Sequence, residues 1–224
     1  VAAGFGLGVA NCQCYDGDVS DAAWRARAAL MAGQGWSVVA VCETTEAGRT
    51  AMLAELGRRT GHLWKTVTVK GKTVGVLFDS TVWAWRPWRS ALFPGSAFGH
   101  GVVAVPLVHR ETGGRVGLAS LHVRPRSIAT TEQKDADIAR AAALADDHGA
   151  CVLAGDFARN QPRLNGWTRA TARIDTMDAA GEQTVDAVFV RGGIGAGTAT
   201  IVDPKALSDH TWLGVRLTIP GTSL

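Results

Sequence analysis

Six times along this chain, an apolar run of strand length has at or beside one of its ends a residue that offers an oxygen or an imidazole. Asn11 follows the run from Gly6, Glu43 follows 37–42, His122 follows 115–121, and Asp156 follows 151–155. Asp186 stands ahead of 187–190, and the Asp209-His210 pair stands ahead of the alternation Leu213, Val215, Leu217, Ile219. One polar residue at a strand end means little, because strands end where polar residues begin. Titratable side chains are rarely buried without a partner, so six such ends imply a rim at which packed sheets deliver them to a shared site.

The segments between these runs read as helices and turns. Ser20-Asp21 caps a helix through about Met31 that places Trp24, Ala28 and Met31 on one face and closes at Gly33. A second helix runs from about Glu46 to Thr60 with Met52, Leu53 and Leu56 inward, and a third from Thr130 to Asp147. Ser37 to Cys42 is apolar without interruption, the pattern of a strand covered on both faces. Lys70-Gly71-Lys72 and the stretch from Glu111 to Gly114 are turns between pairs of strand-like runs, and a further strand is expected over 82–88. No repeat or low-complexity linker divides the chain, so one domain over 1–224 is expected.

At 224 residues, 46% hydrophobic and 19% charged, the chain can bury a full core. No apolar run is long enough to cross a bilayer, and Val1 to Val9 is too short, and lacks the basic flank, for a signal peptide. A cytoplasmic monomer without an obligate protein partner is expected, a processed or secreted form being the alternative. A formal charge of +3 permits a polyanionic partner without requiring one. Cys12, Cys14, Cys42 and Cys151 sit inside apolar runs, so they read as reduced core thiols, and their spacing lacks the paired pattern of a zinc site.

The ordered series Ala10-Asn11, Val41-Cys42-Glu43, Gly75-Val76-Leu77-Phe78, Ser120-Leu121-His122, Gly155-Asp156-Phe157, the run from Val185 through Asp186 to Val190, and Ser208-Asp209-His210 resembles the endonuclease/exonuclease/phosphatase superfamily. This is the fold of pancreatic-type deoxyribonuclease and the apurinic endonucleases, and the resemblance extends from Asn11 to Leu217. It implies an α/β fold, a four-layer α/β sandwich with two mixed β-sheets packed face to face and helices outside. It also implies a metal-dependent phosphodiester hydrolase, a nuclease acting on DNA with Mg²⁺ or, alternatively, Mn²⁺. Carried over residue by residue, Glu43 would be the metal carboxylate, with Asn11 and Asp209 as further oxygen ligands. His210 would pair with Asp186, Asp156 would orient or deprotonate the attacking water, and His122 would contact the phosphate or assist the leaving group. Which histidine serves as base stays open.

The chain departs from the family pattern at three places. Ala158 stands where the family has Asn, Cys42 stands where it has Gln, and no glutamate between Leu63 and Asp79 supports His122. Arg124 and Arg126 follow His122, and Arg159 and Arg163 follow Asp156, so two loops beside the expected site are basic and suited to phosphates, solvated charge being the plainer alternative. Trp167 is the candidate for stacking on a base. Trp83 and Trp85 read as core or sheet edge, and His100, between Gly99 and Gly101, as surface. The alternative functions are a phosphatase or phosphodiesterase acting on a lipid or small phosphate ester, and a catalytically impaired nucleic-acid-binding protein.

Overall fold

Strand alternation sorts the apolar residues of this chain into three packing layers. The computed structural model describes residues 2–14, 19–69, 73–96, 99–125, 127–146, 149–159, 162–171 and 185–220. One sheet contains β1 (Ala3–Asn11), β2 (Val38–Cys42), β3 (Trp64–Thr68), β4 (Gly75–Asp79), β12 (Gly195–Val202) and β13 (Trp212–Ile219), in the order β12-β13-β1-β2-β4-β3. The other contains β5 (Trp83–Trp85), β7 (Gly101–His109), β8 (Arg115–His122), β9 (Cys151–Asp156), β10 (Thr168–Arg169) and β11 (Asp186–Arg191), in the order β10-β11-β9-β8-β7-β5, with β6 (Arg89–Leu92) also paired to β7. Both sheets are mixed, because β1–β2 and β8–β9 run parallel while the neighbouring pairs run antiparallel.

The inner faces meet in a layer built from Phe5, Leu7, Val38, Val76, Phe78, Val215 and Leu217 of the first sheet and Trp83, Val105, Leu107, Leu118, Val152 and Val188 of the second. Burying one such side chain contributes about 1.5–3 kcal/mol, so this layer is the main source of stability. On the outer face of the first sheet, α1 (Asp21–Ala32) and α2 (Glu46–Thr60) place Trp24, Met31, Met52 and Leu56 against Val39, Val41, Leu77 and Trp212. On the outer face of the second, α3 (Thr131–Ala145) places Ile138, Ala141 and Ala145 against Ala104, Leu121, Leu153 and Phe189. The order helix, sheet, sheet, helix is the expected four-layer sandwich.

The helix boundaries follow from their caps. Ser20 accepts from the amide of Ala23, Thr45 from that of Gly48, and Thr130 forms a reciprocal capping box with Gln133. The strand expected over 82–88 is shortened to β5, Trp83–Trp85, and Pro87, which has no amide hydrogen to donate, lies beyond its end. Three strands went unread: β6, β10 and β12. β12 is an exposed edge of Gly, Ala and Thr whose side chains carry no buried face to betray it. The turn expected at 70–72 lies outside the described residues, and the strands that flank it pair antiparallel. Among the described residues the four cysteines form no disulfide, and Cys12, Cys42 and Cys151 are buried. Among the described residues, no helix is long and apolar enough to cross a membrane.

Register is what makes a site. Asn11 lies opposite Cys42 across β1–β2, which brings Glu43 to the same edge. His122 lies opposite Asp156 across β8–β9, and Asp156 opposite Asp186 across β9–β11. The polar ends of five strands therefore share one rim of the sandwich, where the turn ahead of β13 meets them.

Candidate active site

The turn Ser208-Asp209-His210 is fastened to the end of β1 through backbone and side chain together. The carbonyl of Asn11 accepts from Ser208 Oγ and from Trp212 Nε1, each at 2.8 Å. Ser208 Oγ in turn accepts the amide of His210 at 3.0 Å, and Gln13 Oε1 accepts the amide of Asp209 at 2.8 Å. With the turn fixed, His210 Nδ1 meets Asp186 Oδ2 at 2.6 Å, a contact between elements of the two different sheets. The Nδ2 of Asn11 donates to Glu43 Oε1 at 3.0 Å and to Asp156 Oδ2 at 3.3 Å, and lies 3.5 Å from His210 Nε2. His122 Nε2 faces the same two carboxylates, 3.6 Å from Glu43 Oε1 and 3.7 Å from Asp156 Oδ2. Ligand atoms of Glu43, His122 and Asp156 lie within 4.8 Å of one another, as do those of Asp156, Asp186 and His210.

Backbone strain is concentrated here. Gln13, Glu43 and Ala158 adopt φ of 48°, 51° and 45°, in the left-handed region that costs an L-residue about 1–2 kcal/mol. Such outliers persist only where surrounding structure over-determines them, and they cluster at functional sites. The conformation of Ala158 lets its amide donate to Asp156 Oδ1 at 2.6 Å, while Lys134 Nζ donates to its carbonyl at 2.6 Å.

The electrostatics follow from burial and from the neighbours. Burial lifts the Glu43 carboxyl to about 7; the Asn11 hydrogen bond and His210 oppose the shift, and Asp156 and Asp209 add to it. For His210, burial acts to lower the pKa, but the Asp186 carboxylate, aided by Asp156 and Asp209, holds it at about 10. His122 is lowered by burial, and His100 is lowered by burial and by the neighbouring His122 to about 4. The rim thus holds a cationic imidazole against Asp186 and a neutral imidazole beside Glu43.

Several sequence expectations change in three dimensions. Asn11 presents its amide nitrogen, not its oxygen, to Glu43, because its Oδ1 accepts the amide of Gln13 at 3.1 Å. Asp209 is the outermost carboxylate, 39% exposed, with Oδ1 4.0 Å from His210 Nε2. Arg124 does not present its guanidinium to phosphate. It is buried, with Nε and Nη2 on the Asp137 carboxylate at 2.7 and 3.1 Å and Nη1 on the Pro94 carbonyl, because α3 brings Asp137 beneath the strand end. Arg159 pairs with Asp135 of α3, and Arg126 lies outside the described residues. Trp167 precedes Thr168, which pairs with Val190, four residues along β11 from Asp186 and so about 13 Å from the rim. It lines a cleft of about 650 Å³ against α3 with Arg159, Arg163 and Leu164.

Two residues were missed. Gln13 orients the Asp209 turn, and nothing in its sequence context marks it. His100, expected at the surface, is 3% exposed, with its ring centroid 4.5 Å from that of His122. The signal available was its place directly ahead of the apolar run 101–108.

No family model and no curated protein matches the sequence. Solved structures do match it. A humanized D. rerio TDP2 carrying 14 mutations aligns at 15% identity with a TM-score of 0.75, covering 96% of this chain and 98% of that one. An endonuclease/exonuclease/phosphatase from Bacteroides vulgatus aligns at 13% identity with a TM-score of 0.76, covering 97% and 100%. D. rerio TDP2 complexed with a single strand DNA product aligns at 12% identity with a TM-score of 0.71, covering 97% and 99%. By its architecture, this chain has the fold of the endonuclease/exonuclease/phosphatase superfamily.

Proposed function

We propose that the protein is a divalent-metal-dependent phosphodiesterase and that its substrate is DNA. The observation that carries this reading is the convergence of Glu43, His122, Asp156, Asp186 and His210 on one rim, with Asn11 Nδ2 between the carboxylates. Support for DNA comes from the fold neighbour D. rerio TDP2, whose structure holds a single strand DNA product.

Each residue has a role set by its contacts. Asp186 fixes the His210 ring through Nδ1, which leaves Nε2 facing Asn11 and the site; a cationic ring there offsets charge developing on the phosphoryl group and can donate a proton. Asp156, its Oδ1 held by the Ala158 amide, turns Oδ2 into the site, where beside the hydrogen bond from Asn11 Nδ2 it can accept a second one from a water. His122 aims Nε2 at the same region, where it can hydrogen-bond a phosphoryl oxygen.

The residues fit a hard cation. Glu43 is lifted to about 7 by burial beside further carboxylates, a concentration of like charge that a divalent ion relieves, and carboxylate oxygens suit Mg²⁺ or Mn²⁺. Glu43, with Asp209 nearby, would hold the ion, which would supply neutralisation of the phosphoryl oxygens.

Nicking of supercoiled plasmid tests the reading. The wild type nicks in Mg²⁺ or Mn²⁺, and Asp209→Ala and His210→Ala do not; wild type that leaves plasmid intact in both ions overturns it. A second reading, hydrolysis of a small or lipid phosphate ester, is favoured by one observation: Arg124 and Arg159 are committed to Asp137 and Asp135, which thins the free positive charge at the rim. Phosphate-ester hydrolysis without nicking selects it.

A further inference from the structure

His122 lacks a partner that catalytic imidazoles normally have. Its Nδ1 is buried and has no hydrogen-bond partner among the described residues. An imidazole with one nitrogen unclaimed has neither its tautomer nor its ring orientation set by that side, and a ring free to tilt spends less time aimed at its target. Yet His122 is 4% exposed, and its Nε2 faces Glu43 and Asp156.

The ring that packs against it is His100, with centroids 4.5 Å apart and planes at 57°. His100 is itself held at two points. Its carbonyl accepts the amide of Phe93 at 3.1 Å, extending the β6–β7 ladder, which pairs Leu92 with Gly101. Ser96 Oγ accepts the amide of His100 at 2.7 Å and lies 2.9 Å from His100 Nδ1. With its lone pair on that amide, the Ser96 hydroxyl is free to donate its hydrogen to Nδ1, which places the His100 ring proton on Nε2. Gly101 lies opposite His122 across β7–β8, so this braced ring stands directly beside the His122 strand end. The close approach of β6 also requires a glycine there, since a Cβ on Gly101 would lie 2.5 Å from the Ala91 carbonyl.

We infer that His100, pinned by Ser96, is the positioning residue of His122: it holds the imidazole by ring packing so that Nε2 faces Glu43 and Asp156, in the place where a hydrogen-bonded carboxylate would otherwise do so. The consequence for rate rests on the proposed hydrolytic role of His122; the consequence for the ring does not.

Two measurements therefore separate the two claims. The first is ¹⁵N-edited NMR of the imidazole nitrogens in the full chain, assigned with His122→Gln. The wild type gives His122 signals of one dominant tautomer, and His100→Ala and Ser96→Ala each shift them toward a mixed-tautomer average while far-UV circular dichroism is unchanged. Ser96→Ala retains the His100 side chain while removing the hydroxyl that pins it, and serves if His100→Ala fails to fold. The second is steady-state hydrolysis of a p-nitrophenyl ester of thymidine monophosphate in Mg²⁺, in which His100→Ala lowers kcat about tenfold with KM within twofold, and His100→Phe, which keeps a packed ring, recovers part of the loss. His122 signals that are unchanged in both Ser96→Ala and His100→Ala overturn the inference, whatever the activity. An inactive wild type with shifted signals overturns the function proposed above and leaves the positioning role standing.

Discussion

His210 Nδ1 lies 2.6 Å from Asp186 Oδ2 across the junction of the two sheets, both side chains being almost fully buried. Neither sheet alone contains the pair, so the site exists only when the sandwich is closed. Loss of a carboxylate that fixes a catalytic imidazole costs up to about 10⁴-fold in rate. Asp186→Asn is expected to lower kcat on the order of 10³-fold with a smaller change in KM, and His210→Ala to lower it at least as far. Because the two act as one unit, the double variant should be no slower than His210→Ala. Multiplicative losses in a kinetic comparison of the three variants would refute the coupling.

Ala158 occupies a left-handed position, φ 45°, that Asn tolerates better than Ala. It is also the position at which the family resemblance calls for an amide. Ala158→Asn is expected to raise kcat on the order of tenfold or more, the scale of one hydrogen-bond donor to a developing oxyanion. It should also raise thermal stability by a few tenths of a kcal/mol through relief of strain. Turnover and a melting curve on one preparation check both halves, and a slower or less stable variant would count against the assignment.

Glu43 gives the protein a pH signature. Its folded pKa, about 7, lies above the ordinary 4.5, so the folded state holds this proton more tightly than the unfolded chain. The stabilisation is present in full below about pH 4.5 and is lost as pH rises through 7, a decline of roughly 3 kcal/mol at most. Urea unfolding from pH 4.5 to 8 should therefore show wild type falling relative to Glu43→Gln, with added Mg²⁺ restoring wild type more than the variant. A difference between the two proteins that does not change with pH would show that Glu43 is not perturbed.

Arg124 and Asp137 form a buried pair, so their substitution should read out in stability and not in substrate affinity. Breaking such a pair by removing one partner typically costs about 3–5 kcal/mol, whereas replacing both with apolar residues of similar volume is often neutral. Arg124→Ala is expected to lower the unfolding free energy by that amount, and Arg124→Met with Asp137→Leu to recover most of it. If Arg124→Ala instead keeps its stability and weakens DNA binding with a reduced salt slope, Arg124 is a phosphate contact after all.

Much of the architecture could be read from the chain because it is written in short-range pattern. Ser20, Thr45 and Thr130 cap the helices, and the residues that alternate in β13 and run unbroken in β2 are buried as their periods require. Strand ends could be read for the same reason, which is why Glu43, His122, Asp156, Asp186 and His210 arrive at one rim.

What the sequence by itself determined was thus which residues end the strands and that they would meet. Only the tertiary structure decided what each of them faces. The pairing of Arg124 with Asp137, thirteen positions away, depends on where α3 docks, and the burial of His100 depends on β6, a strand with no apolar face of its own. The turn of the Asn11 amide toward Glu43 depends on Gln13, and the distance of Trp167 from the rim depends on the register of β10 against β11. The physical reason is common to all four: periodicity specifies which face of an element is buried, whereas the partner of a polar group is set by packing between elements distant in sequence.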